Sequence, residues 1–232
     1  MSQSSAVTWL AVRELWISFR LIVLLVGFVG AGATVALLTA SLPLALERLA
    51  VGLAVATLIA GAVAAWSLSD DRRRGRAAWL VTRSVPRPTL VTAWFIAIAA
   101  VCLPAIGAAG VLGWLAASAV SLRLDPGVYA ATIGSVAADA LAAMSLGLVT
   151  AVLLPPRAAV FVTVVVAAAL GAAAWLLPES RIFLPGAGVA LLADLRERSP
   201  GAADAIRAAG LGLVVAAVLL LVARLLLRRS DL

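Results

Sequence analysis

The 232-residue chain has no lysine and no histidine, and its single cysteine is Cys102. Without lysine it holds no GxxxxGK[ST] phosphate-binding loop, so any ATP hydrolysis coupled to it belongs to another polypeptide. Without histidine, and with one cysteine, zinc sites and Ser-His or Cys-His catalysis are excluded, and no disulfide framework can form. Charge is scarce as well: 12% of residues are charged and 64% are hydrophobic. A soluble domain carries roughly 45–50% apolar residues, so this surface cannot be covered with polar groups.

What the chain has instead is length of apolar sequence. A hydrocarbon core about 30 Å thick needs roughly 20 apolar residues of helix. Six stretches supply this, near 20–40, 49–68, 89–117, 129–154, 159–177 and 206–227. The expectation is a single all-α integral membrane domain over residues 1–232, with no separate soluble domain. The first stretch runs on past the length of a secretory signal core and is read as a retained span.

All eighteen basic residues are arginine, and six of them, Arg72, Arg73, Arg74, Arg76, Arg83 and Arg87, fall between the second and third stretches. Basic residues confined to loops argue against nucleic-acid binding and for positive-inside orientation. With the N-terminus inside, twelve arginines and four carboxylates leave the cytoplasmic face at +8, while six arginines offset six carboxylates outside. Both termini are therefore expected to be cytoplasmic. Trp66 and Trp94 near inner ends, and Trp114 and Trp175 near outer ends, are expected to form aromatic belts.

Ahead of the first span, Trp9, Val12, Trp16 and Phe19 recur at spacings of three and four, which predicts an amphipathic interfacial helix over 5–19. In the third span Pro104, followed by Gly107, Gly110 and Gly113, predicts a kinked or broken helix. Residues 178–205 form the one sizeable outer segment. Its apolar part, 182–192, is too short to span, so one or two short helices dipping into the outer interface or capping a pathway are expected. Asp139 is the one ionisable residue deep within a span. It shares a helical face with Thr132, Ser135 and Thr150, a weakly polar stripe that either lines a translocation pathway or fixes bundle register.

The loop 69–88 carries the strongest local signal. Ser69 can cap a helix, Asp70 and Asp71 suit the positive end of its dipole, and Pro86 and Pro88 stop it. A helix over 70–83 would align Arg72, Arg76, Trp79 and Arg83 on one face. Such a helix either touches anionic lipid headgroups or docks a cytoplasmic partner through Trp79 and Leu80. An interfacial helix, two spans, a short cytoplasmic helix with Gly and a Pro/Arg turn, and four more spans together resemble the permease subunit of type-2 ABC transporters. Gly75, Trp79, Leu80 and Arg87 match that family's pattern, whereas Ser84-Val85-Pro86-Arg87 exchanges its Pro and Ser positions.

The resemblance implies that 70–83 is a coupling helix seated on a separate ABC ATPase through Arg72, Gly75, Arg76, Trp79, Leu80, Arg83, Pro86 and Arg87. It also implies a second permease copy or paralogue, ATP and Mg held by the ATPase with no cofactor in this chain, surrounding membrane lipids, and a bacterial inner or plasma membrane. Export of a hydrophobic or amphipathic substrate is the function so implied. The alternatives are a non-transporting scaffold or sensor that recruits a cytoplasmic partner, and an intramembrane enzyme built on Asp139, which lacks a second in-membrane acid.

Overall fold

Long runs of Ala, Val, Leu and Gly leave the backbone without polar side chains to bond to, and away from water a helix satisfies every N–H and C=O within its own segment. A computed structural model describes residues 3–37, 42–82, 85–119, 125–177, 179, 183–195 and 201–229. Among them are nine helices and no strand: α1 (Gln3–Ile17), α2 (Arg20–Leu37), α3 (Leu42–Arg73), α4 (Arg76–Thr82), α5 (Arg87–Ala119), α6 (Pro126–Leu153), α7 (Pro156–Leu176), α8 (Ala187–Asp194) and α9 (Ala202–Arg229).

Five helices, α3, α5, α6, α7 and α9, are long and apolar enough to cross a membrane, as in a multi-pass membrane protein. A sixth crossing is reached only if α1 and α2 count as one bent unit, the two meeting at 76°. The bend has a local cause. Ser18 closes α1 by donating from its N–H (3.0 Å) and its hydroxyl (2.6 Å) to the Glu14 carbonyl, and Phe19 then takes φ 58°. A non-glycine residue in the left-handed region ends a helix.

The face of α1 that packs on the protein is Val7, Ala11 and Leu15, all buried. Of the expected interfacial stripe, Trp9 and Trp16 point outward, Val12 packs partly on the core, and Phe19 lies outside the helix. Arg13 lies 5.7 Å from the Trp9 ring centre, a cation–π contact.

The centre of the bundle is α6, packed between α3 and α9. Its neighbours come close because small residues meet backbone. A Cβ on Gly147 would strike the Gly61 carbonyl, and one on Gly212 would lie 2.9 Å from Ala138 Cβ. Between α2 and α5, a Cβ on Gly32 would lie 2.7 Å from Ala109 Cα. Without a hydrophobic drive between helices in lipid, such contacts supply the dispersion that holds them.

Three expectations are corrected. Of the kinked or broken third span, the broken form is excluded, since α5 runs as one helix through Pro104. Trp94 is no belt residue, because it is buried at 3% exposure and bonded inside the protein. The helix expected over 70–83 is two pieces: residues 70–73 are the last turn of α3, Gly75 breaks the chain at φ 71°, and α4 covers only Arg76–Thr82. Ser69 does not cap a new helix, because its hydroxyl donates to the Ala65 carbonyl within α3.

Gly147→Val should lower the thermal unfolding midpoint of the detergent-purified protein by several degrees, since overpacking a close crossing costs about 1–3 kcal/mol. Gly134→Ala, where nothing lies within 4 Å of the new Cβ, should leave the midpoint unchanged or raise it. Equal behaviour of the two variants would show that the α3–α6 crossing does not limit stability.

Candidate functional site

Two places bring polar groups together. The first is the elbow between α3 and α5. Arg76, the first residue of α4, reaches three carboxylates: Nη1 is 2.9 Å from Glu14 Oε2, Nε 3.1 Å from Asp71 Oδ1, and Nη2 3.6 Å from Asp70 Oδ2. Arg20, at the start of α2, approaches Asp70 at 3.3 Å and donates to Ser67 Oγ at 3.0 Å. Arg74 Nε donates to Asp70 Oδ1 at 3.0 Å, and Trp94 Nε1 donates to Asp71 Oδ2 at 2.8 Å.

Three arginines and three carboxylates thus close a neutral knot that ties α1, α2, α3, α4 and α5 together. Burial pushes the Arg76 guanidinium toward its neutral form. The Glu14, Asp71 and Asp70 carboxylates outweigh that cost and hold its pKa above the ordinary arginine value.

Of the residues expected to face a partner, the elbow places few together on an open surface. Arg76 is engaged internally. Arg72 sits on α3 across the Gly75 break and donates to the Ala151 and Val152 carbonyls at the end of α6. Leu80 packs partly against the core, and Arg87 opens α5 half-buried. Trp79 is 55% exposed, and Pro86 is exposed. Arg83 lies outside the described residues. The knot residues Glu14, Arg20, Asp70, Asp71 and Trp94 were not candidates in the sequence. The lone carboxylate of α1, Glu14, and the pair Asp70-Asp71 beside the arginine run are their local signals.

The second place is the middle of α6. Asp139 stands halfway along that 28-residue helix, about 20 Å from either end at 1.5 Å per residue. Its Oδ1 accepts from the Gly186 N–H at 2.9 Å and its Oδ2 from the Gly188 N–H at 2.8 Å. These donors belong to the N-terminus of α8, whose residues Ala187–Leu192 are all buried. Within the 178–205 segment, Ala187–Leu192 therefore enters the bundle. The sequence Pro185-Gly186-Ala187-Gly188 permits this entry. Gly186 takes φ 97°, a Cβ on it would lie 2.9 Å from Gly171 Cα, and one on Gly188 would lie 2.5 Å from Ser135 backbone.

The remaining stripe residues spend their hydroxyls locally: Thr132 on Val128 O at 2.8 Å, Ser135 on Thr132 O at 2.7 Å, and Thr150 on Gly147 O at 2.9 Å and Thr163 Oγ1 at 2.6 Å. Asp139 alone of the four reaches a cavity of about 490 Å³ between α3, α6, α7, α8 and α9, walled by small apolar residues such as Ala54, Ala143, Ala168 and Gly171. Cavities of this size with few polar groups suit hydrophobic ligands. Among the described residues no group of three or more His, Cys, Asp or Glu could hold a metal.

No family model, no curated protein and no solved structure matches this chain.

Asp139→Ala should orphan the Gly186 and Gly188 N–H groups, each at about 1–3 kcal/mol, and should speed amide exchange across 186–195 relative to the rest of the bundle. Asp139→Asn retains one acceptor oxygen and should give a smaller change. Exchange of 186–195 that is the same in all three proteins would mean that the carboxylate does not hold α8.

Proposed function

We propose that this chain is the permease subunit of an ATP-driven ABC transporter. On this reading the bent α1–α2 unit supplies the first of six spans, its α1 arm lying toward the inner interface, both termini are in the cytoplasm, and α4 couples the bundle to a separate ABC ATPase that carries ATP and Mg. One observation supports it above the rest: a short helix, set off by Gly75 between two membrane-long helices, presents Trp79 more than half exposed while Arg76 anchors its base to α1 and α3. That is the form of a mechanical input point, with an apolar knob for a partner and a stiff connection behind it.

The docking set is narrower than the loop sequence implies. Of that set Trp79 and Pro86 are exposed, whereas Arg72 and Arg76 hold the elbow together. The cavity beside Asp139 supplies a place for a hydrophobic or amphipathic substrate, and export would follow from ATP-driven switching of the bundle between two states. The largely exposed apolar faces of α7 and α9 leave room for lipid and for the second permease copy that the family resemblance implies.

Co-purification with a soluble ABC ATPase encoded beside the gene should succeed for the wild-type chain. Trp79→Ala should weaken the association about tenfold or more and remove any stimulation of hydrolysis, as for a hot-spot aromatic. Undiminished association and hydrolysis would overturn the coupling role. In a Cys102→Ala background, Arg73→Cys and Asp204→Cys should be labelled from opposite sides of the membrane, and labelling from one side would overturn the topology.

A further inference from the structure

The elbow neutralises three of its arginines but leaves Arg72 and Arg73 without a carboxylate. Neither makes an ion pair among the described residues, whereas Arg20, Arg74 and Arg76 all do. Both line a crevice of about 370 Å³ whose other walls are Ser69, Ala78 and the turn Leu153-Leu154-Pro155-Pro156 between α6 and α7. No acidic side chain lines it.

Its position and composition fix the class of occupant. The crevice opens where α3, α6 and α7 all end, the depth at which apolar helix gives way to headgroups. Leu153 is 59% exposed beside it, so one wall suits hydrocarbon and the other suits an anion. Arg72 is already held in place, because Nη1 donates to the Ala151 and Val152 carbonyls. A planar guanidinium fixed along one edge keeps its remaining N–H groups aimed, and phosphate oxygens match that fork. Arg73 is exposed and adds a second donor set.

We propose that this crevice binds the phosphodiester headgroup of an anionic phospholipid, with Arg72 and Arg73 on the phosphate and Leu153, Leu154 and Pro155 against the upper part of its acyl chains. The site stands apart from the transporter reading. It requires only that the helix ends lie at a bilayer surface. It also assigns a function to Arg72, which the break at Gly75 removes from the face of α4.

The test is native mass spectrometry of the detergent-solubilised chain with equal amounts of phosphatidylglycerol and phosphatidylcholine. The wild type should retain phosphatidylglycerol at least about fivefold over phosphatidylcholine, as expected for arginine beside anionic lipid. Arg73→Gln, which breaks no internal bond, should cut that preference several-fold, and Arg73→Lys should restore most of it. Arg72→Gln should cut it further. Arg207→Gln, at the opposite end of the bundle, should leave it unchanged. Equal retention of the two lipids by the wild type would overturn the proposal, as would an equal loss with Arg207→Gln. Displacement of the lipid by millimolar inorganic phosphate would show a free-anion site and overturn it too.

Discussion

Irregular backbone at membrane depth must find its hydrogen bonds in protein, and the bundle meets this constraint with one carboxylate. The chain enters the interior at Pro185-Gly186-Ala187-Gly188, where the first N–H groups of α8 have no partner of their own. Asp139 accepts two of them, and the positive end of the α8 dipole favours the same carboxylate. Each side answers a problem of the other, since a charge in mid-span and an open helix end are both costly alone. The glycines at 186 and 188, the contact with Gly171 and the wall of the large cavity all follow from seating α8 at this depth.

The arginine-rich end solves a different problem. Six arginines in one loop would repel each other if all stayed free. The fold brings Glu14 from α1 and Asp70 and Asp71 from the last turn of α3 against two of them, Arg74 and Arg76, and against Arg20 of α2, so that these three arginines meet three carboxylates. Removing a partner from such a network leaves a partly buried charge uncompensated, which costs more than the pair contributes. The elbow therefore has a rigid base and an exposed tip, with Trp79 outside and Arg76 inside.

The long helices were legible because their signal is additive: twenty apolar residues without charge have few alternatives. The short elements were not, because their ends are set by partners far away in sequence. Asp70 and Asp71 look like first-turn acids of a new helix, yet they are held by Arg20 some 50 residues before and Trp94 some 23 after. Ser69 looks like a cap, yet its hydroxyl is used one turn back. Pro104 reads as a break, but packing on both sides carries α5 through it. Asp139 stood out as an ionisable residue in a span, and one of its two readings, a bond to a neighbouring element, matches the geometry. The element it bonds, α8, lies in the outer segment where a short helix was expected, but that its N-terminus meets Asp139 depends on packing some 47 residues away.

Gly75 has a consequence for motion. It is the one residue between α3 and α4 with φ in the left-handed region, where glycine pivots at little cost. Helix α4 has seven residues, a rod about 10 Å long. Swinging that rod by about 20° moves its far end by about 3.5 Å and Trp79 by about 2 Å, but Arg76, next to the pivot, by only about 0.5 Å. The backbone at the base of α4 therefore shifts little while the tip is displaced by about an atomic diameter.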